Sequence, residues 1–163
     1  MPGLDFDPIE RAGQLWEEHV GPADSMRLAT SLMRVHQLLL AELDAAVKPL
    51  GITFARFEVL RLLSFSSRGS LPLSKIGQRL MVHPTSVTNV IDRLAADGLV
   101  NRTVDAVDRR RVLASLTADG RRVLDAATEA LTAIDFGLRS LPAGQQREAY
   151  ELLRVLRTPD FEG

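Results

Sequence analysis

The sequence predicts a mostly α-helical fold that carries one small β-hairpin. Over most of the chain, apolar side chains recur three and four residues apart. One stretch, residues 99–116, changes to short runs of branched residues around a polar tip. The strongest chain breakers, GPADS, Pro49 with Gly51, SSRGS and Gly98, fall between the periodic segments. At 163 residues and 45% hydrophobic composition, the chain suits one domain with a core that needs no staples.

Taken in order, PIERAGQLWEEHV sets Ile9, Ala12, Leu15 and Trp16 at helical spacing, and GPADS ends this short helix, with Asp24 or Ser25 placed to cap the next. Residues 25–48 read as one long helix, because Ala29, Leu32, Met33, Leu39, Leu40, Leu43 and Val47 form a single stripe stopped by Pro49 and Gly51. Thr53 is placed to cap FARFEVLRLLSF, whose Phe57, Leu60 and Leu63 face a core. Residues 71–73 contain Pro72, so they can form only an edge strand or a turn. A brief helix follows over residues 74–81, and then His83 and Pro84 open another, with proline at its favoured first position. That helix, PTSVTNVIDRLAAD, stops at Gly98, a natural C-terminal cap. LVNRTV and RVLASL, separated by DAVDRR, make the hairpin. Thr117 is placed to cap a long helix with Leu124, Ala127, Leu131, Ile134 and Leu138 at three-then-four spacing, the seam of helix-on-helix packing. A last helix, from near Pro142, puts Ala149, Leu152, Leu153 and Leu156 on one face.

Composition removes several classes of function. The chain has no cysteine, which excludes disulfides, thiolate nucleophiles and cysteine-rich zinc sites. The acidic N-terminus has no hydrophobic stretch behind it and no apolar run is long, so neither a signal peptide nor a membrane span is expected, and the predicted location is cytoplasmic. Net charge is -1, but it is segregated: -5 over residues 1–47, +7 over 48–122 and -3 over 123–163. A basic middle between acidic ends concentrates positive potential on one region, where phosphates can be held.

Two helices joined by a tight turn, the second stopped by glycine and followed by a hairpin, make a winged helix-turn-helix. In such modules the second helix lies in the DNA major groove and the strand pair reaches the adjacent backbone or minor groove. Val87, Val90, Ile91 and Leu94 fall at i, i+3, i+4 and i+7 and face inward. The opposite face carries Thr85, Ser86, Thr88, Asn89 and Arg93, hydroxyl, amide and guanidinium groups suited to base edges. His83 is a turn residue or a phosphate contact. The alternative for this face is a solvated surface, with Arg93 paired to Asp97. The hairpin places Arg109 and Arg110 at a projecting tip, where guanidinium groups enter a narrow, negative minor groove, with Asp108 as the partner that orients Arg110. The plain alternative there is a surface salt bridge worth about 0.5 kcal/mol.

With LSKIGQRLMVHPTSVTNVIDRLAADGLV and DRRRVLASLTADG, the chain resembles MarR-type transcriptional regulators. The wing signature D-x-R stands at Asp108 and Arg110, and L-T-x-x-G at Leu116, Thr117 and Gly120; the order of helices extends the resemblance over residues 25–157. The resemblance implies a homodimer interlocked through its first and last helices, two winged lobes reading a pseudo-palindrome in double-stranded DNA, and a small ligand between dimerisation helices and lobe. It also implies that Arg110 is the wing arginine that enters the minor groove. On this basis residues 1–52 form the N-terminal extension and dimerisation helix, 53–117 the DNA-binding lobe, and 118–163 the C-terminal dimerisation helices of one intertwined structural domain. The apolar stripes at both ends exceed what one small lobe covers, which agrees with two-fold burial.

The added segment with Trp16 is similar to the family branch that responds to urate or related small acids, and Glu58 stands for the acid on that branch's second helix. Trp16, Arg34, His36, Arg56 and Glu58 are therefore the candidate set for an anionic or aromatic effector. For each of them packing or ion pairing is the competing assignment, as it is for Arg61. No cofactor is expected, and His19, His36 and His83 lack metal-ligand spacing. The leading expectation is a ligand-responsive DNA-binding repressor. A winged-helix dimer acting as a protein-interaction module is the alternative. An enzyme comes third, because no nucleophile–base pair, phosphate-binding glycine loop or carboxylate pair emerges.

Overall fold

The computed structural model describes residues 5–157. The chain divides into two compact units, Met1–Glu42 and Leu43–Gly163. In the first, α1 (Pro8–His19) is capped by Asp7, whose Oδ1 accepts hydrogen bonds from the amides of Ile9 (2.8 Å) and Glu10 (3.4 Å), with proline in the first turn. Helix α2 (Asp24–Val47) starts one residue earlier than the stripe predicts. Asp24 and Ser25 thus lie within its first turn instead of capping it, and the Asp24 carboxylate meets the positive end of the helix dipole. Arg27 clasps the two helices: its guanidinium pairs with Glu17 at 2.5 Å and Glu10 at 3.2 Å. Gly13 makes that contact feasible, since a Cβ there would sit 2.2 Å from Arg27 Nε.

The second unit begins at the end of α2, where Leu43 and Val47 are buried, and continues through a 3₁₀ turn at Lys48–Leu50. Helix α3 (Phe54–Ser64) follows the expected Thr53 cap, whose Oγ1 accepts from the Arg56 amide at 3.4 Å, and Asp44 takes the Phe54 amide at 2.7 Å. Then come β1 (Ser70–Pro72), α4 (Leu73–Leu80), α5 (Pro84–Ala96), β2 (Val100–Val104), β3 (Val112–Leu116), α6 (Ala118–Ala133) and α7 (Ala143–Arg157). The hairpin gains a third member, for β1 pairs antiparallel with β3 in the order β1-β3-β2, with Leu71 and Arg102 on either side of Ala114. Pro72 is tolerated because β1 is an edge strand. Leu60, Leu63, Ile76, Ile91, Leu94, Leu124 and Leu131 are buried and form the centre of the lobe.

The long helix expected from Thr117 through Leu138 is shorter than its stripe. Thr117 caps it, but α6 ends at Ala133. Asp135 and Phe136 both adopt φ of 49°, and a 3₁₀ turn spans Asp135–Gly137. Two compensations hold the break. The Gln146 side-chain amide donates to Asp135 Oδ2 (2.8 Å) and to the Leu141 carbonyl (2.9 Å), and the Phe136 ring reaches Phe57 at a centroid separation of 6.5 Å. The apolar period continues past a point where tertiary contacts turn the backbone, so Leu138 lies outside the helix.

Candidate nucleic-acid interface

Helices α4 and α5 meet through a tight turn. Met81 takes a left-handed conformation (φ 54°), and the Val82 amide donates back to the Gly77 carbonyl at 3.1 Å. Gly77 allows the approach, since a Cβ there would lie 3.2 Å from the Val82 oxygen and 3.3 Å from Val87 Cγ2. His83 is the N-cap of α5: its Nδ1 accepts from the Thr85 amide at 3.3 Å. Val87, Ile91 and Leu94 are buried and Val90 is half-buried, whereas Thr85, Ser86, Thr88, Asn89 and Arg93 are exposed, as the spacing predicts. Thr88 Oγ1 donates to the Pro84 carbonyl at 3.2 Å. The Arg93–Asp97 pair does not form. Asp97 is taken by Arg56 at 2.9 Å, and Arg93 has no ion pair among the described residues.

The far end of α5 closes in a Schellman arrangement. The Leu99 amide reaches the Leu94 carbonyl at 2.9 Å and the Gly98 amide reaches Ala95 at 3.0 Å, with Gly98 at φ 71°. This geometry fixes the angle at which the chain leaves the helix and enters β2. Asp92 of α5 pairs with Arg102 of β2, tying helix and hairpin into one body.

At the wing tip the organiser is Asp105, which sequence reasoning had not singled out. Its Oδ1 accepts from the Val107 amide (2.9 Å) and the Asp108 amide (3.4 Å), and its Oδ2 lies 3.9 Å from Arg111. The Val107 amide foremost, then Asp108 and Arg111, hold this carboxyl below its ordinary value. The aspartate at the start of D-A-V-D was the available signal, an Asx turn at a hairpin apex. Asp108 has the orienting geometry expected of it: its Oδ1 accepts from the Arg110 amide at 3.1 Å and from Arg110 Nε at 3.3 Å. Arg110 remains 93% exposed, so its guanidinium is aimed without being buried. Arg109 is exposed beside it and has no ion pair among the described residues. Behind the wing, Thr117 Oγ1 accepts from the Gly120 amide (2.9 Å) and donates to the Gly98 carbonyl (2.8 Å), so one hydroxyl joins the end of α5 to the start of α6.

Of the five effector candidates, Trp16, Arg34 and His36 belong to the first unit and Arg56 and Glu58 to the second. Arg34 lines a groove of about 640 Å³ between α1 and α2 with Asp7, Ile9 and Met33; Trp16 and His36 are exposed and do not line it. Arg56 is held by Asp97 and by the Gly51 carbonyl at 3.2 Å. Glu58 lines an open groove of about 660 Å³ on the surface of the lobe, bordered by Phe54, Phe57, Phe65 and Phe136. Burial raises the Glu58 carboxyl above its ordinary value, and Arg61 reaches both Phe57 and Phe65 in cation–π contact. Among the described residues no group of His, Asp or Glu is arranged to hold a metal ion.

The MarR family model matches residues 52–112, from the start of α3 to the wing. The HTH-type transcriptional repressor Rv2887 of Mycobacterium tuberculosis is 35% identical over 84% of this chain and 98% of its own length. Sco5413, a MarR family transcriptional regulator from Streptomyces coelicolor, is 52% identical and superposes with a TM-score of 0.78 over 85% of this chain and 98% of its own. The chain belongs to the MarR family. BpsR of Bordetella bronchiseptica, whose DNA binding is regulated by 6-hydroxynicotinic acid, shares the fold with a TM-score of 0.71 and 27% identity, covering 80% of this chain and 98% of that one.

The protein is thus a MarR-family transcriptional regulator, and its relatives are regulators, not enzymes. Those same relatives, matched over nearly their whole lengths, leave nothing that favours the protein-interaction module. Among the described residues no helix is long and apolar enough to cross a membrane.

Proposed function

We propose that this MarR-family regulator binds double-stranded DNA in the cytoplasm as a homodimer and represses transcription from a pseudo-palindromic operator. One observation carries the reading: the exposed amide-and-hydroxyl face of α5 and the cationic wing tip belong to one rigid lobe, joined by the Asp92–Arg102 pair and the Thr117 bridge. In this reading Thr85, Ser86, Thr88, Asn89 and Arg93 face base edges, His83 donates to a phosphate, and Arg109 and Arg110 enter the adjacent minor groove with Asp108 as brace. Two lobes related by two-fold symmetry place their half-sites about 10 bp apart.

Unpartnered apolar surface supports the dimer. Helix α7 buries no residue, while Leu152 is 73% exposed, Val155 68% and Leu156 62%. On α2, Leu28, Met33, Val35 and Leu38 are also more than half exposed. A helix of this length without a packed face is not stable alone in water. For the effector, the open, phenylalanine-bordered groove beside Glu58 and Arg61 supports a small aromatic ligand, and the aromatic acid that regulates BpsR supports the same class.

Arg110→Ala and Asn89→Ala separate the two reading elements in a binding assay on a panel of operator variants. Arg110→Ala is expected to weaken every site, whereas Asn89→Ala is expected to change the ranking of sites and cost about 1–3 kcal/mol at one base pair. A uniform loss from Asn89→Ala would remove its base-reading role.

A further inference from the structure

A second cationic feature lies at the root of the wing. A cleft of about 370 Å³ opens between the loop after α3, the outer face of α4 and the start of β3. Arg68, Lys75, Arg79 and Arg111 all line it, together with Ser67 and Ser70 and with Ser66, whose hydroxyl donates to the Ser70 carbonyl at 2.9 Å. Its one carboxylate, Asp105, is already spent on two backbone amides at the wing tip and on Arg111. Arg68, Lys75 and Arg79 have no ion pair among the described residues, and all three are exposed.

Four cations facing one cleft repel each other, and among the described residues no ion pair offsets three of them. An arrangement of that kind is stabilised by an anion that can accept several hydrogen bonds at once. Guanidinium forks, an ammonium and hydroxyl groups fit the tetrahedral oxygens of a phosphate group. We propose that the wing-root cleft is a phosphate-class oxyanion site outside the recognition helix, touching the wing through Asp105 and Arg111. Because Asp105 and Arg111 belong to both cleft and wing, an anion seated there also steadies the wing.

The phosphate has two possible sources, a flanking DNA backbone or a free phosphorylated small molecule. The first source rests on the DNA-binding reading above; the second does not. The test uses the full-length chain with the double substitution Lys75→Ala, Arg79→Ala, whose exposed side chains can be removed without disturbing the core; an unchanged melting curve checks this. If the source is DNA, the slope of log Kd against log salt falls by about 0.9 for each backbone phosphate lost, equally for all operator variants. If it is a free anion, the DNA slope is unchanged, while inorganic pyrophosphate saturably shifts the amide resonances of Ser67, Lys75, Arg79 and Arg111 in the parent protein and not in the double variant. Absence of both responses would overturn the proposal. The pyrophosphate titration needs no DNA, so it judges the cleft even where duplex binding fails; loss on Arg110→Ala without either cleft response would leave the DNA-binding reading standing and the cleft without a role.

Discussion

Gly120→Ala is expected to destabilise the lobe by about 3 kcal/mol, the scale of a severe overpacking substitution. A Cβ at Gly120 would lie 2.1 Å from the Leu99 carbonyl oxygen and 3.1 Å from Leu116 Cδ2. The first of these is backbone and cannot rotate away. That same oxygen accepts the Thr117 amide at 3.2 Å, and the Gly120 amide is what Thr117 Oγ1 caps. Moving α6 outward to make room therefore breaks its own cap and loosens the junction with α5. The L-T-x-x-G signature thereby has a physical content: a strand-ending leucine, a capping hydroxyl, and a residue with no side chain at the point of closest approach. Thermal unfolding at fixed protein concentration, which must be held constant for a dimer, is expected to show a drop of roughly 10 °C. A melting temperature within a degree or two of the parent would mean that α6 does not press on Leu99.

The second large effect concerns α7. In the proposed dimer, Leu152→Asp with Leu156→Asp puts two carboxylates into the apolar seam formed by the last helix, and neither has a partner there. Sedimentation is expected to report monomers at concentrations where the parent is dimeric. Operator affinity is expected to fall by about 10² to 10⁴, because the second half-site no longer benefits from effective concentration. The lobe itself should keep its fold, since α7 contributes no buried residue to it. A double variant that stays dimeric with full affinity would move the seam elsewhere.

Much of this architecture was legible in the residues. Thr53, His83 with Pro84, Gly98 and Thr117 mark element ends by local chemistry that acts within a turn of the chain, and each stands where its side chain or missing side chain implies. The inward set of α5 follows from periodicity alone, as does the exposure of the opposite face. What escaped prediction depended on contacts distant in sequence. The pairing of β1 with β3 joins residues more than forty positions apart. Asp97 answers to Arg56 instead of Arg93 because α3 brings a guanidinium closer than the same helix offers. The end of α6 at Ala133 was hidden because the apolar period runs on to Leu138, while Gln146 and Phe57 reward a left-handed turn. The cleft of Arg68, Lys75, Arg79 and Arg111 draws on a loop, a helix and a strand, so it appears in the sequence only as an excess of positive charge over the middle of the chain.

The salt dependence of operator binding tests most directly whether paired lobes hold a duplex through α5 and the wing. If each dimer neutralises about six to ten phosphates, affinity falls by about 10³ to 10⁵ between 50 and 200 mM salt. A flat response over that range, or equal affinity for duplexes with and without the operator, would contradict the account.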